Sequence, residues 1–180
     1  MTLEEMKQKV YAMIEEYSDE ADDLTEDEDL ATKMNGVINQ IQNEVARLKK
    51  IPANKTMAVN EGDETTLSKI DSNMYQLYNI RGVDYDTMND LIIFNESGTA
   101  KIYYFKYPTQ ITNDTPDDFK FELSRDVLEI MPYGVAGDLL KSDVSSQYGA
   151  VYTARYQQLL SELDPRYNMG SVSLGEGFNV

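Results

Sequence analysis

The clearest helical pattern in the chain is LATKMNGVINQIQNEVARLKK, residues 30–50. Its apolar side chains recur at spacings of three and four residues, which places them on one face of an α-helix. They are Leu30, Met34, Val37, Ile38, Ile41, Val45 and Leu48. Thr25 and Glu28 form a capping-box pattern ahead of this stripe, and two lysines before Pro52 suit a helix C-terminus. The stretch therefore predicts a helix over residues 26–50.

A second amphipathic pattern lies upstream. Thr2 and Glu5 form another capping box, and the apolar spacing after them predicts a helix over residues 3–17. Eight carboxylates fall within residues 19–29, between the two helices. This acidic run lacks the glycine and the ligand register of a calcium loop, so a solvated turn is favoured over a cation site. Two helices on a short connection predict an antiparallel hairpin.

The pattern changes after the second helix, where β-branched residues, tyrosines and turn formers predict a β insertion over residues 56–108. Short apolar or alternating runs predict strands at residues 74–80, 91–94 and 101–107. The turn sequence of residues 95–98, Asn-Glu-Ser-Gly, predicts that the last two strands pair as a hairpin, with the glycine left-handed.

Helical spacing returns near the C-terminal end, after a predicted surface loop over residues 110–120. It predicts helices over residues 124–141 and 145–163, with Pro132 starting a new helix inside the first range. The glycines in this range have low helix propensity, and the small residues of the range together indicate close approach by another element. They are Gly134, Ala136 and Gly137.

Composition excludes much chemistry. The chain has 180 residues with 16 basic and 32 acidic side chains, a net charge of −16, and no histidine, cysteine or tryptophan. Thiol nucleophiles, disulfides, imidazole bases and thiolate or imidazole metal sites are therefore ruled out. The longest apolar runs have four residues and the N-terminal sequence is charged, so we expect neither a signal peptide nor a membrane span, and synthesis in the cytoplasm.

The remaining candidates for acid–base chemistry are carboxylates. Glu129 and Asp138 lie beside small or apolar neighbours, which could raise a carboxyl pKa, although solvent-facing helical positions are the favoured interpretation. The sequence Gly175-Glu176-Gly177 lacks the strand and helix of a phosphate-binding loop. We expect no catalytic residue, no cofactor and no bound metal, and a carboxylate-dependent enzyme is the least favoured class.

Aromatic and apolar side chains are the candidate binding groups. Two tyrosine clusters stand out, Tyr103, Tyr104 and Tyr107 on a strand and Tyr148, Tyr152 and Tyr156 on the last helix. Tyrosines at such spacing pack in a core, form a protein interface or stack on nucleic-acid bases, and the acidic charge disfavours the last. The glycine-rich segment 166–180 carries Met169, Val172, Leu174, Phe178 and Val180, which are typical of a docking arm as well as of a disordered tail. The candidate interface comprises the first tyrosine cluster and these five residues.

Together the patterns predict an α+β protein. A helical bundle from the N- and C-terminal helices carries a small antiparallel β-sheet inserted in the middle. We expect residues 1–165 to form a single domain and residues 166–180 to form an extended C-terminal arm.

The order of these elements also resembles a known family. A tyrosine-rich β region ending in Tyr107-Pro108 is followed by LSRDVLEIMPYGVAGDLLK, residues 123–141, and by a helix with three spaced tyrosines. With two helices before it, this arrangement is similar to the head-tail adaptor, or connector, proteins of tailed bacteriophages. The likeness is clearest over residues 74–167, and the N-terminal helices match in arrangement only.

The resemblance implies a structural protein of the virion neck. Such a protein forms a ring, commonly of twelve copies, with the portal protein above it and a tail or stopper protein below. DNA passes through the channel without specific binding, and no membrane is involved. In such a ring, an acidic channel wall would let phosphates slide past. The alternative from charge alone is an acidic DNA mimic or another protein-interaction module.

Overall fold

The computed structural model describes residues 1–15, 28–142 and 148–163. The helices are α1 (Leu3–Glu15), α2 (Glu28–Leu48), α3 (Leu67–Ile70), α4 (Arg125–Leu128), α5 (Met131–Leu139) and α6 (Tyr148–Glu162). The strands are β1 (Ile51–Val59), β2 (Glu64–Thr66), β3 (Met74–Arg81), β4 (Tyr85–Met88), β5 (Leu91–Phe94) and β6 (Gly98–Lys106). The α+β class is confirmed, with small antiparallel sheets.

Helices from both ends of the chain share one hydrophobic core. Its buried side chains come from α1, α2, α4, α5 and α6, and include Met6, Ile38, Val127, Val135 and Tyr156. The capping box of α1 is confirmed, since the Thr2 amide donates to Glu5 Oε2 at 2.9 Å and the Glu5 amide donates to Thr2 Oγ1 at 3.2 Å. The acidic connection, including the predicted cap at Thr25, lies outside the described residues.

The end of α2 differs from the prediction. The helix stops at Leu48, and the chain enters β1 at Ile51 instead of continuing as helix to residue 50. Lys49 is only 7% exposed, and its ammonium group lies 3.5 Å from Asp126 Oδ2. This ion pair joins the end of α2 to α4, so Lys49 has a tertiary role as well as a position suited to the helix dipole.

Pro132 begins a new helix, as the sequence predicts. Residues 124–141 form α4, α5 and a 3₁₀ turn over Leu140–Ser142, with Pro132 in the first turn of α5. A proline is tolerated there because its missing N–H has no intrahelical partner. The last helix is described from Tyr148, and its predicted start at residue 145 lies outside the described residues.

The small residues of α5 let α6 approach closely, as predicted. A Cβ at Gly134 would lie 3.0 Å from the Tyr156 ring. One at Gly137 would lie 2.7 Å from Thr153 Oγ1 and 2.9 Å from the Thr153 backbone nitrogen. The contact at Gly137 involves backbone, which cannot rotate away as a side chain can.

The β insertion contains two sheets where one was predicted. One has the strand order β1–β6–β3 and the other β2–β5–β4, and all pairs are antiparallel. Side chains from both sheets and from α3 form a second hydrophobic core, which includes Val59, Ile70, Ile80, Phe94 and Ile102. The insertion runs from residue 51 to 106, so its predicted start at 56 is wrong. Pro52 is accommodated because β1 is an edge strand.

The predicted hairpin between β5 and β6 is wrong. The two strands belong to different sheets, and Gly98 does not have a positive φ. Residues 95–97 carry the chain from one sheet to the other, held by a 2.9 Å hydrogen bond from the Asn95 amide to the Asp84 carbonyl. The turn composition marks a break between strands, but it carries no information about which strands pair. The hairpin lies instead between β4 and β5, at Asn89 with φ 56°.

A row of amide side chains on α2 holds the segment that leaves the sheets. Asn39 Nδ2 donates to the Ile111 carbonyl and Asn39 Oδ1 accepts from the Ile111 amide, both at 2.8 Å. Gln42 donates to the Thr109 carbonyl at 3.0 Å, and Asn35 donates to Asn113 at the same distance. Residues 110–120 lack a helix or strand, as predicted, but they are attached to the core, where Ile111 is only 3% exposed.

We predict opposite effects of alanine at two helical glycines. Gly137→Ala should lower the free energy of unfolding by about 1–3 kcal/mol, because its Cβ overlaps the α6 backbone. Gly36→Ala on α2, where a Cβ would meet no atom within 4 Å, should raise it by up to about 1 kcal/mol. Urea unfolding of both variants tests this. Equal effects would contradict the close approach of α5 and α6.

We also predict that Asn39→Ala lowers the free energy of unfolding by about 2–4 kcal/mol, because both backbone groups of Ile111 lose their partner. Asn43→Ala is the matched control, since Asn43 Oδ1 accepts a single exposed hydrogen bond from Gln110. It should cost less than about 1 kcal/mol. Amide hydrogen exchange at Ile111 should increase only in the Asn39 variant.

Candidate functional site

The outer face of the β1–β6–β3 sheet combines aromatic rings with cations. Alternate residues of β6 point to opposite sides of the sheet, so Lys101, Tyr103 and Phe105 share the side away from the second core. We define the aromatic–cation face as Arg47, Lys50, Tyr75, Tyr78, Arg81, Lys101, Tyr103, Phe105 and Tyr107. Two of these residues, Arg47 and Lys50, are supplied by the end of α2 and the link to β1.

Ring contacts organise this face. The Tyr75 and Tyr107 ring centroids are 4.6 Å apart, and those of Tyr78 and Phe105 are 5.7 Å apart. The Tyr75 hydroxyl donates to the Ala46 carbonyl at 3.2 Å, which attaches the face to α2. Burial raises the pKa of this hydroxyl, with a smaller contribution from Tyr107. Tyr78 covers Phe105 and remains 47% exposed, an unusual position for a large aromatic ring.

Each cation of the face lies over a ring. Arg81 and Lys101 are both 5.3 Å from the Tyr103 centroid, and Lys50 is 4.7 Å from that of Phe105. Arg47 lies 5.6 Å from the Tyr107 centroid and donates to its hydroxyl at 3.1 Å. None of these four cations forms an ion pair with any residue that the structure describes.

The sheet differs in charge from the rest of the chain. Strands β1, β3 and β6 contain no aspartate or glutamate and four basic residues, in a protein with 32 acidic side chains. Sequence reasoning missed this face because the net charge of the whole chain, −16, conceals a local basic region. Counting charge strand by strand would have located it.

Two of the predicted interface tyrosines belong to this face and one does not. Tyr103 and Tyr107 lie on it, but Tyr104 points into the second core and is only 5% exposed. Its hydroxyl donates to Asp71 Oδ2 at 2.8 Å. Burial, together with the Asp71 carboxylate, raises the pKa of Tyr104 to about 12. Because side chains alternate along a strand, Tyr104 points to the opposite side from Tyr103. It is a core residue and does not lie on the aromatic–cation face.

The second tyrosine cluster is part of the helical core. Tyr152 and Tyr156 are buried, and the Tyr152 hydroxyl donates to the Met13 carbonyl at 3.1 Å. Tyr148, the first tyrosine of the same cluster, remains 42% exposed. Buried rings are unavailable for stacking on bases. The remaining predicted interface residues, Met169, Val172, Leu174, Phe178 and Val180, lie outside the described residues.

The candidate acid–base residues are both paired with lysines. Glu129 Oε2 lies 2.7 Å from Lys9 Nζ, and Asp138 bonds Lys141. The hydrogen bond and charge of Lys9 lower the pKa of Glu129, whereas its apolar sequence neighbours had suggested a raised value. Its local environment therefore favours the ionised form and not a proton donor.

A groove adjoins the Lys9–Glu129 pair, between α1 and α4. It has a volume of about 850 Å³ and is open to solvent, with Phe121, Leu123 and Leu128 among its lining residues. In the part of the chain that the structure describes, no three acidic side chains are grouped to hold a metal ion. Within the same residues, no helix has the length and apolar character needed to cross a membrane.

No protein-family model matches the sequence, and no curated protein is significantly similar to it.

The Tyr104–Asp71 pair predicts a component of acid sensitivity. Burial acts to raise the pKa of Asp71, but the Asn73 amide, the Tyr104 hydroxyl and two lysines outweigh it, so the pKa is lowered. A carboxyl with a lower pKa in the folded state stabilises the fold above its unfolded pKa, and this stability is lost as pH falls below about 4.

Asp71→Asn should therefore be less stable than the wild type at pH 7, and the difference should shrink toward pH 3. Urea unfolding at several pH values measures it. Asp118→Asn is the matched control, because it removes the same charge from an exposed side chain with no described hydrogen bond. A difference for Asp71→Asn that stays constant from pH 7 to pH 3 would argue against this role.

Proposed function

We propose that this protein is a head-tail adaptor of a tailed bacteriophage. In this proposal it forms a ring in the virion neck, below the portal protein and above a tail or stopper protein, and DNA passes through the channel without specific binding. The aromatic–cation face carries the proposal. Tyrosine and arginine are enriched at protein interfaces, and an exposed face of such residues favours a protein that works by binding other proteins.

The arrangement of elements supports the same proposal. The β insertion has a core of its own, so it can present a face to a partner while the helices from both chain ends keep a separate core. In the assembled ring, these helices would form the helical bundle, and residues 166–180 would extend as an arm that binds the portal or a neighbouring copy. The proposed role requires no catalytic group, cofactor or metal.

The acidic DNA mimic is the weaker alternative. A mimic needs carboxylates spaced along a surface like the phosphates of a duplex. Half of the net charge, −8 of −16, is instead concentrated within residues 19–29. The outer sheet face has the opposite sign. A protein with separated acidic and basic regions is better suited to assembly than to imitation of a uniformly charged polymer.

Native mass spectrometry and electron microscopy of the purified chain test the proposal. We expect closed rings, formed by the chain alone or on addition of a portal ring, and binding of the chain to that portal. A chain that stays monomeric under both conditions and does not bind the portal would refute an adaptor function.

Phe178→Asp in the C-terminal arm should weaken portal binding, because it replaces an apolar side chain with a charge. The thermal unfolding of the variant should match that of the wild type. Ser173→Asp adds the same charge nearby and is the control.

A further inference from the structure

We propose that the aromatic–cation face binds the acidic segment 19–29 of a neighbouring copy of this chain. This inference rests on the proposed ring and names the contact between its subunits. The face carries four cations without described ion-pair partners, and the segment carries eight carboxylates in eleven residues. The same chain therefore contains both halves of a complementary contact.

The dimensions of the two regions agree. Strand residues rise about 3.3 Å each, so the face extends about 20 Å from Lys101 to Tyr107. The nine residues 19–27 that precede α2 can span up to about 30 Å when extended. The segment is thus long enough to reach both ends of the face, from Arg81 and Lys101 over Tyr103 to Arg47 over Tyr107.

A neighbouring copy is a better source of the segment than the same chain. The acidic segment ends in the first turn of α2, and Arg47 lies in the last turn of that helix. At 1.5 Å per residue, about 27 Å of helix separates Asp29 from Arg47. Within one chain, the segment would have to run back along the whole helix to reach the face. A second copy can supply it directly.

This contact is also compatible with a closed ring. A segment on one copy that binds a face on the next is a head-to-tail interaction, and such interactions generate rings when the rotation closes. It would also neutralise charge between copies that each carry −16. A segment bound in this way cannot line the channel, so the contact and an acidic channel wall are competing locations for the same residues.

Nucleic acid is the less favoured occupant of the face. Rings and cations can hold a single strand, but strand binding depends on a positive groove that tracks the phosphates. This face is a local positive area on a strongly acidic protein, whose remaining charge repels a long polyanion. A short acidic segment meets only the local positive area.

Charge-reversal variants of the full chain test the contact. Arg81→Glu with Lys101→Glu reverses the face, and Asp22→Lys with Asp23→Lys reverses the segment. Each double variant should lower self-association about tenfold or more. Lys33→Glu with Lys69→Glu makes the same change in net charge as the face variant, at exposed lysines outside the aromatic–cation face, and should assemble like the wild type. Mixing the face and segment variants should restore assembly, because each remaining wild-type half then finds its partner and the reversed halves pair with each other.

A peptide assay separates this inference from the adaptor function. A peptide of residues 16–29 is titrated into the Asp22→Lys, Asp23→Lys chain, whose own segment no longer competes. We expect binding that is lost in a chain that also carries Arg81→Glu and Lys101→Glu, and lost when the peptide acids are replaced by amides. If the chain proves monomeric but the peptide binds the face, the proposed contact is supported and the proposed ring is refuted.

Equal peptide binding to both chains, or none to either, overturns the inference. So does assembly of the face variant like the Lys33→Glu, Lys69→Glu control. A single-stranded oligonucleotide that binds in place of the peptide, and is lost on face reversal, overturns it in favour of nucleic acid. Circular dichroism of each variant confirms that it is folded before it is compared.

Discussion

The reciprocal hydrogen bonds between Asn39 and Ile111 join the two halves of this structure. A side-chain amide that binds both backbone groups of one residue acts as a neighbouring strand would, and it satisfies groups that are costly to bury unpaired. The bonds hold the segment leaving the sheets against α2. The Asp117 and Phe119 carbonyls of that segment then accept hydrogen bonds from backbone amides at the start of α1, before the chain enters α4. The helices from the two chain ends meet in one core because this return path is held in place.

The same attachment determines how the β insertion is presented. The insertion starts directly after α2 and returns to α2, so the sheet with order β1–β6–β3 is held at the end of that helix. Its inner side chains contribute to the second core, and its outer side chains belong to the aromatic–cation face. Strand alternation then divides one tyrosine cluster between two roles. Tyr104 stabilises the core through Asp71, whereas Tyr103 and Tyr107 remain on the outer face with cations over their rings.

Charge is separated along the chain rather than spread evenly over it. The acidic residues are densest around the start of α2, and the strands of the β1–β6–β3 sheet contain none. This separation makes the outer face of the β1–β6–β3 sheet a local basic region in a protein of net charge −16. It is also why the overall charge is a poor guide to partners here, since binding responds to local potential within a Debye length of about 8–10 Å. For assembly of identical subunits, complementary regions on one chain are sufficient.

The sequence by itself determined the features that depend on local periodicity and local hydrogen bonds. These include the helical stripe of α2, the capping box of α1, the new helix at Pro132 and the alternating strand β6. It also determined the close approach at Gly134 and Gly137, because a missing side chain is visible in the sequence. Only the tertiary structure decided which strands pair, that two sheets form, and which tyrosines face outward with cations beside them. Those outcomes depend on contacts between residues far apart in the chain, such as Arg47 with Tyr107 and Asn39 with Ile111, and no local pattern encodes such a distant partner.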